Sequence, residues 1–476
     1  MDEHYSRREF FKASGMGLAA VGLGASTLKC AKSSLAIKPN IIYILADDLG
    51  YGDLGCYGQK SIQTPNLDRM AAEGIRFTDH YAGSTVCAPS RCSLMTGLHC
   101  GHARIRGNAR VPLEPGDITI AELLKQAGYA TGLVGKWGLG EEGSTGIPTR
   151  KGFDYFFGYL NQRHAHNYYT EFLWRNEEKV PLPNDVVKPP HAEANDLAGA
   201  STNRAVYSQD LFSQEALQFI ENNQAKPFFL YYSVTIPHAN NESNILNRHG
   251  MEIPDYGIYA EKDWPEPQKG HAAMITRLDH DIGLLLQKLQ DLGLDQNTIV
   301  FFSSDNGPHR EGGNDPDFAD SNGPLKGIKR DLYDGGIRVP MIARWPGKIV
   351  PGTVSSHVSA FWDVLPTFCE LAGVPVPFSS DGTSFLPALL GKNQREHPYL
   401  YWEFHERKST IQALRMGKWK AVRHKPSGSI ELYDIEQDVG EETDLAVEHP
   451  AVVKKIAAVL QSVRTENAVW PLKDSE

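Results

Sequence analysis

Three runs set the pattern of the chain: Ile41–Ala46, Phe228–Val234 and Ile299–Ser303. Each is apolar at consecutive positions rather than alternate ones, as a strand is when helices cover both of its faces. With two shorter runs they predict strands over Asn40–Ala46, Ala130–Gly135, Phe228–Val234, Thr298–Phe302 and Val339–Arg344. Between them, amphipathic spacing predicts helices over Pro65–Glu73, Ile118–Gln126, Gln209–Asn222, His271–Leu292 and Trp362–Leu371. This alternation is that of an α/β fold, a large mixed, mostly parallel sheet sandwiched by helices. The proline-rich stretch Val180–Pro190 reads as a long surface connection.

Beyond about Pro377 the texture changes. Tyr399–Phe404, Gln412–Arg415, Trp419–Arg423 and Glu431–Tyr433 are short strand candidates separated by Gly, Pro and Ser turns, and Pro450–Arg464 reads as a closing helix. The expectation is a catalytic α/β domain over residues 37–377 and a smaller C-terminal antiparallel-sheet subdomain over 378–476.

The first 36 residues are set aside from fold reasoning. Ser6-Arg7-Arg8-Glu9-Phe10-Phe11-Lys12 resembles a twin-arginine export signal, followed by a weakly apolar, Gly/Ala-rich stretch from Ala13 to Leu28. Lys29 is a poor neighbour for a lipoprotein cysteine at Cys30, and cleavage near Ser34-Leu35-Ala36 is a looser alternative. A bacterial protein in the periplasm or secreted, delivered by the twin-arginine machinery, is therefore expected.

A hydrophobic content of 41% and a charged content of 22% are those of an ordinary soluble domain. The net charge of -10 argues against a nucleic-acid partner, though a local cluster of cations can still take an anionic substrate. After the N-terminus nothing approaches the roughly 18 apolar residues of a membrane span. The six cysteines (Cys30, Cys56, Cys87, Cys92, Cys100 and Cys369) form no C-x-x-C pair and no zinc spacing. One cysteine with its own chemistry fits them better than a disulfide framework.

Four predicted strands carry polar residues just past their carboxyl ends: Asp47-Asp48, Lys136, His238 and Asp305-Asn306. That edge is where open α/β sheets bind ligands. Asp47, Asp48, Asp305 and Asn306 are all oxygen donors, a set that suits Ca²⁺, or less well Mg²⁺, rather than zinc. In Val86-Cys87-Ala88-Pro89-Ser90-Arg91-Cys92, Pro89 is pre-set for the start of a helix, so Cys87 falls at its positive end with Arg91 to neutralise charge.

The run Cys87-Ala88-Pro89-Ser90-Arg91 resembles the C-x-P-S-R signature of the sulfatase family, and Gly128–Trp137 resembles the second signature of that family. The resemblance extends from about Pro39 to Leu445 and includes Ile236-Pro237-His238, Ser304–Gly307, Pro324-Leu325-Lys326-Gly327 and Leu432-Tyr433-Asp434. It implies a fold like that of alkaline phosphatase and a sulfuric ester hydrolase resembling bacterial glycan exo-sulfatases. It further implies that a maturation enzyme converts Cys87 to formylglycine, whose hydrate attacks sulfur beside a divalent ion. Arg91, Lys136 and Lys326 would hold the sulfate oxygens, His238 would protonate the leaving alcohol, and Asp47, Asp48, Asp305, Asn306 and residue 87 would meet the metal.

One departure stands out. The family pattern reads Gly-Lys-Trp-His, whereas this chain has Lys136-Trp137-Gly138. The absent histidine is the one that contacts formylglycine and assists release of sulfate. His309, and then His164 and His166, are the candidates to replace it. These three and His405 are also the expected substrate-binding histidines; Arg163–Tyr169 and Trp402–His405 supply the stacking and polar groups a sugar ring needs. The insert resembles one in bacterial sulfatases acting on sulfated galactose or N-acetylgalactosamine. A phosphonate or phosphodiester hydrolase of the same superfamily and a non-catalytic sulfoglycan-binding protein are the alternatives.

Overall fold

The computed structural model describes residues 38–474 except 191, 194 and 195, so the twin-arginine segment lies outside the described residues. Its large sheet has ten strands, in the order Thr353–Ser355, Ile75–Phe77, Met341–Arg344, Thr298–Ser304, Asn40–Ala46, Phe228–Ser233, Ala130–Lys136, Tyr155–Tyr159, Phe172–Arg175 and Glu178–Pro181. The five central strands from Thr298–Ser304 to Tyr155–Tyr159 run parallel, and antiparallel pairs flank them on both sides.

Period-two geometry explains why the central strands read as unbroken apolar runs. Ile41, Tyr43 and Leu45 enter one core with the Cys87–Thr96, Ile120–Gln126 and Val364–Ala372 helices. Ile42, Ile44 and Ala46 enter the other, with the Pro65–Ala72, Ser208–Asn222 and Glu266–Asp291 helices. Burial on both faces removes the alternation that a half-exposed strand would show.

The helix borders differ from the expected ones for local reasons. The second predicted helix, observed as Ile120–Gln126, starts two residues late because Thr119 caps it, accepting from the Glu122 amide while the Glu122 carboxylate accepts from the Thr119 amide at 2.8 Å. The 26-residue helix Glu266–Asp291 starts five residues before His271, since Pro267 in its first turn needs no amide partner. Short strands such as Ile75–Phe77 were not readable from so few residues. Where the stretch read as a surface connection begins, Glu178–Pro181 adds to the sheet edge, and within it Asp185–Val187 pairs with Ala200–Asn203.

At the C-terminus Leu400–Phe404, Ile411–Met416, Trp419–Arg423 and Glu431–Asp434 form a sequential antiparallel sheet. The Pro450–Ser462 helix covers one of its faces through Ile456 and Leu460. Trp402 and Phe404 point to the opposite side, against Tyr81, Val86 and Trp362 of the large domain. Among the described residues no helix is long and apolar enough to cross a membrane.

Candidate active site

Asp47 and Asp48 follow the Asn40–Ala46 strand, Lys136 ends its own strand, His238 follows Phe228–Ser233 and Asp305-Asn306 follow Thr298–Ser304. Parallel pairing brings these ends to one edge. Asp48 sits at φ 63°, a conformation that costs a non-glycine residue about 1–3 kcal/mol. Gly135 is required where Lys136 leaves the sheet, because at φ 111° a Cβ would stand 1.9 Å from the Ser233 carbonyl oxygen.

Cys87 opens the Cys87–Thr96 helix, with Val86 extended before it and Gly97 closing the far end at φ 68°. Every residue of that helix is buried, Arg91 included. Arg91 is satisfied by Asp305 Oδ2, to which Nε and Nη2 donate at 3.0 and 2.8 Å, by the Lys136 carbonyl at 3.1 Å and by Ser233 Oγ. The Cys87 thiol donates to Asp47 Oδ1 at 3.3 Å. Burial, reinforced by Asp47, pushes that thiol well above its usual range, so it is a protonated donor and not a thiolate.

Around it, oxygens and cations alternate. Lys136 Nζ donates to Asp47 Oδ2 at 2.6 Å, and Lys329 Nζ to Asp48 Oδ2 at 2.7 Å. Asn306 Nδ2 donates to Asp48 Oδ1 at 2.7 Å, and the Asp48 amide to Asp305 Oδ1 at 3.1 Å. Ligand atoms of Asp47, Asp48, Cys87 and His238 lie within 4.8 Å of one another. Burial alone would raise the Asp47 carboxyl, but Lys136, His238 and Arg91 outweigh it and hold the group well below the carboxylate range. Asp305 goes the other way: burial and the charge of Asp47 lift it to about 7 despite Arg91. Asn306 Oδ1 is buried with no partner among the described residues.

His238 has both ring nitrogens engaged, Nδ1 with the Ala239 carbonyl at 2.6 Å and Nε2 with Lys329 Nζ at 3.0 Å. Burial and then Lys329 push its pKa down to about 3. Lys329 also reaches Glu311 Oε2 at 3.3 Å, and Arg330 pairs with the other oxygen of Glu311. Burial opposes the charge on Lys329, yet Asp48 and Glu311 raise its pKa overall.

Thus Asp47, Asp48, Cys87, Arg91, Lys136, His238, Asp305 and Asn306 come together, and Lys326 does not. Its ammonium donates to the Glu441 carbonyl at 2.7 Å and lies 4.2 Å from the centre of the Tyr333 ring. Lys329, three residues on, stands in the site instead; the lysines of Lys326-Gly327-Ile328-Lys329 could not be told apart before the turn at Gly327 was known. Glu311 was missed as well, although it lies in the same run as His309.

The four expected substrate histidines separate. His166 lies at the site, its ring stacked on that of His238 at 4.7 Å. His309 is also there, but it is fully buried and spends Nε2 on the Pro237 carbonyl and Nδ1 on the Glu311 amide. His164 is buried against Thr170, Tyr159 and Phe172, which makes it a packing residue. His405 is buried on Glu403 at 3.0 Å and beside Trp470 inside the C-terminal subdomain. Trp402 is 0% exposed with its indole bonded to the Ala82 carbonyl, and Phe404 is equally buried, so neither can stack on a sugar.

Residues 39–374 match the family described as Sulfatase, and residues 328–466 match N-sulphoglucosamine sulphohydrolase, C-terminal. The chain is 35% identical over 422 residues to N-acetylgalactosamine-6-sulfatase of Canis lupus familiaris, covering 85% of this chain and 74% of that protein. It is 31% identical over 499 residues to N-acetylgalactosamine-6-O-sulfatase of Bacteroides thetaiotaomicron, covering 90% of this chain and 93% of the relative. Among solved structures it is similar to Ps i-CgsB in complex with k-i-k-neocarrahexaose, with a TM-score of 0.76, 28% identity and coverage of 92% and 95%. The chain belongs to the sulfatase family of sulfuric ester hydrolases.

Proposed function

We propose that this chain removes sulfate from a sulfated carbohydrate, with residue 87 converted from cysteine to formylglycine and a calcium ion at the strand ends. The observation that carries the reading is the setting of Cys87, a protonated thiol at a helix N-terminus, in contact with Asp47 and surrounded by Asp48, His238, Lys136, Lys329 and Arg91. Its Sγ stands in for the oxygen that would attack. Formylglycine supplies a hydroxyl through its hydrate and lets sulfate leave when the aldehyde returns, which an unmodified thiol cannot do.

The donor set fits a hard cation. It offers only oxygens from Asp47, Asp48, Asp305 and Asn306, includes a buried amide oxygen without a partner, and holds a carboxyl lifted to about 7. A divalent ion bound there would polarise the sulfate and acidify the hydroxyl. Lys136 and Lys329 bring positive charge to the same edge, and residue 87 sits at the positive end of the Cys87–Thr96 helix, so charge that builds on the sulfate oxygens meets a preorganised positive field. Arg91 holds Asp305 in place from beneath. His238 Nε2 accepts from the Lys329 ammonium, and the proton for the leaving sugar oxygen comes from that ammonium, relayed through His238.

The N-acetylgalactosamine-6-sulfatase relatives support a 6-O-sulfated galactosaminide as substrate, with a 4-O-sulfated one as the alternative. The Ser6–Lys12 run supports export to the periplasm or beyond by the twin-arginine machinery, with a formylglycine-generating enzyme in the producing cell.

Mass spectrometry of the peptide containing residue 87, together with sulfate release from 4-O- and 6-O-sulfated N-acetylgalactosamine, tests the reading. A formylglycine mass and release from either sugar are expected. Unmodified cysteine in active protein would overturn the mechanism; activity confined to aryl sulfates would overturn the sugar, and preference for phosphate or phosphonate esters would overturn sulfate itself.

A further inference from the structure

Position 138 carries no side chain, and its place is taken. Gly138 lies at φ 79°, and a Cβ there would stand 2.7 Å from Gln162 Nε2 and 2.8 Å from Gln162 Cδ. An amide fills the space, and an amide is not a base at neutral pH. The Gly138 amide also donates to the Leu160 carbonyl at 3.0 Å, so the loop that follows the Tyr155–Tyr159 strand is fastened to this spot. Four residues beyond Gln162 the same loop delivers His166 over His238.

The histidines around the site differ in what remains free on the ring. His238 and His309 have both nitrogens engaged. His164 is buried among aromatic rings. His271 has a partnerless Nε2, but it is buried and lies 4.0 Å from Asp53. His166 alone of these keeps 15% of its side chain exposed, holds Nδ1 on Glu242 Oε2 at 3.1 Å and takes no hydrogen bond at Nε2 among the described residues. The carboxylate fixes the tautomer: the proton sits on Nδ1 and the lone pair on Nε2, the orientation a general base needs. Glu242 is itself fixed by Arg163, whose Nη2 donates at 3.1 Å while Nη1 donates to Asp196 at 2.7 Å. Burial would raise the Glu242 carboxyl, but His166 and Arg163 lower it and keep it ionised.

We propose that His166, oriented by Glu242, is the base that releases sulfate from residue 87, the duty for which position 138 has no side chain. The proposal rests on the formylglycine reading above. In the step, His166 Nε2 takes the proton of the remaining hydroxyl on residue 87, directly or through one water. The O–H electron pair becomes the second bond of the carbonyl, the carbon–oxygen bond to sulfate breaks, and its pair departs with sulfate. The imidazolium then returns its proton to solvent. Glu242 and Arg163 act as positioning residues, through His166.

The test compares wild type, His166→Ala and Glu242→Gln, all with formylglycine verified by mass, on the same sulfated sugar. Sulfate release by wild type judges the underlying reading separately. If the proposal holds, His166→Ala gives one rapid equivalent of desulfated sugar and then turns over at least about 100-fold more slowly. Its residue-87 peptide, quenched during turnover, carries the mass of one sulfate ester, and added imidazole restores part of the rate. Glu242→Gln shows the same pattern with a smaller fall. Turnover by His166→Ala at the wild-type rate would overturn the proposal, as would loss of the first equivalent or a residue-87 peptide without sulfate. Should His166→Ala melt early, His166→Asn carries the same three readouts.

Discussion

Asp305 and Glu403 are both fully buried carboxylates, one at the sheet edge and one in the C-terminal subdomain. Glu403 is saturated: Oε1 accepts from Arg106 at 2.9 Å and His405 at 3.0 Å, and Oε2 from Tyr401 at 2.7 Å and Arg464 at 2.8 Å. Burial would raise its pKa, yet His405, Arg106 and Arg464 bring it down to about 2. Asp305 shares its surroundings with Asp47 and Asp48, and its pKa rises to about 7. One carboxylate among several cations ties elements together. Several carboxylates gathered at one edge, next to an unpartnered Asn306 oxygen, repel one another even with Arg91, Lys136 and Lys329 beside them, a strain that an added cation would relieve.

The largest effect that could break this comparison is on stability at Glu403. Glu403→Gln is expected to cost about 3–5 kcal/mol in denaturant unfolding, because it leaves two buried arginines underpaired, with kcat nearly unchanged. The acid limb follows the same logic. The folded pKa lies below the usual glutamate value, so the contribution of Glu403 is present above about 4.3 and is lost as pH falls toward 2. Unfolding midpoints in an acid series should show Glu403→Gln losing less stability than wild type across that window.

Next comes Lys329→Ala, expected to lower kcat by about 10²–10³-fold, or about 2.7–4 kcal/mol, as does removal of one preorganised donor to a developing oxyanion. A smaller effect is expected from the ion: calcium at about 100 times its Kd should stabilise the folded chain by about 2.7 kcal/mol relative to chelated protein. Calorimetry with and without chelator measures it, and no shift would remove the contrast between Asp305 and Glu403. The smallest effect belongs to Lys326→Ala, with kcat near wild type and about 1 kcal/mol or less of stability lost with its partly buried contacts. A large fall in kcat there would restore Lys326 to the site.

Some of this was legible in the chain. Strands such as Asn40–Ala46 and Thr298–Ser304 showed themselves because apolar runs that end in Asp-Asp or Asp-Asn have few other uses. The same feature placed Asp47, Asp48, Asp305 and Asn306 at strand ends, and Pro89 placed Cys87 at a helix start. Trp402, Phe404, His164 and His405 were misread for a common reason: aromatic and imidazole groups serve packing and binding equally well, and burial alone tells them apart.

The sequence by itself therefore determined the layered fold and the family, and marked Cys87 and the oxygens of Asp47, Asp48, Asp305 and Asn306 as candidates, all of which depend on local order along the chain. The tertiary structure alone decided which lysine, Lys326 or Lys329, faces Asp48. It also decided which histidine keeps a free nitrogen beside His238. Those choices depend on the path of a turn and on hydrogen bonds to residues tens to hundreds of positions away, which no local pattern encodes.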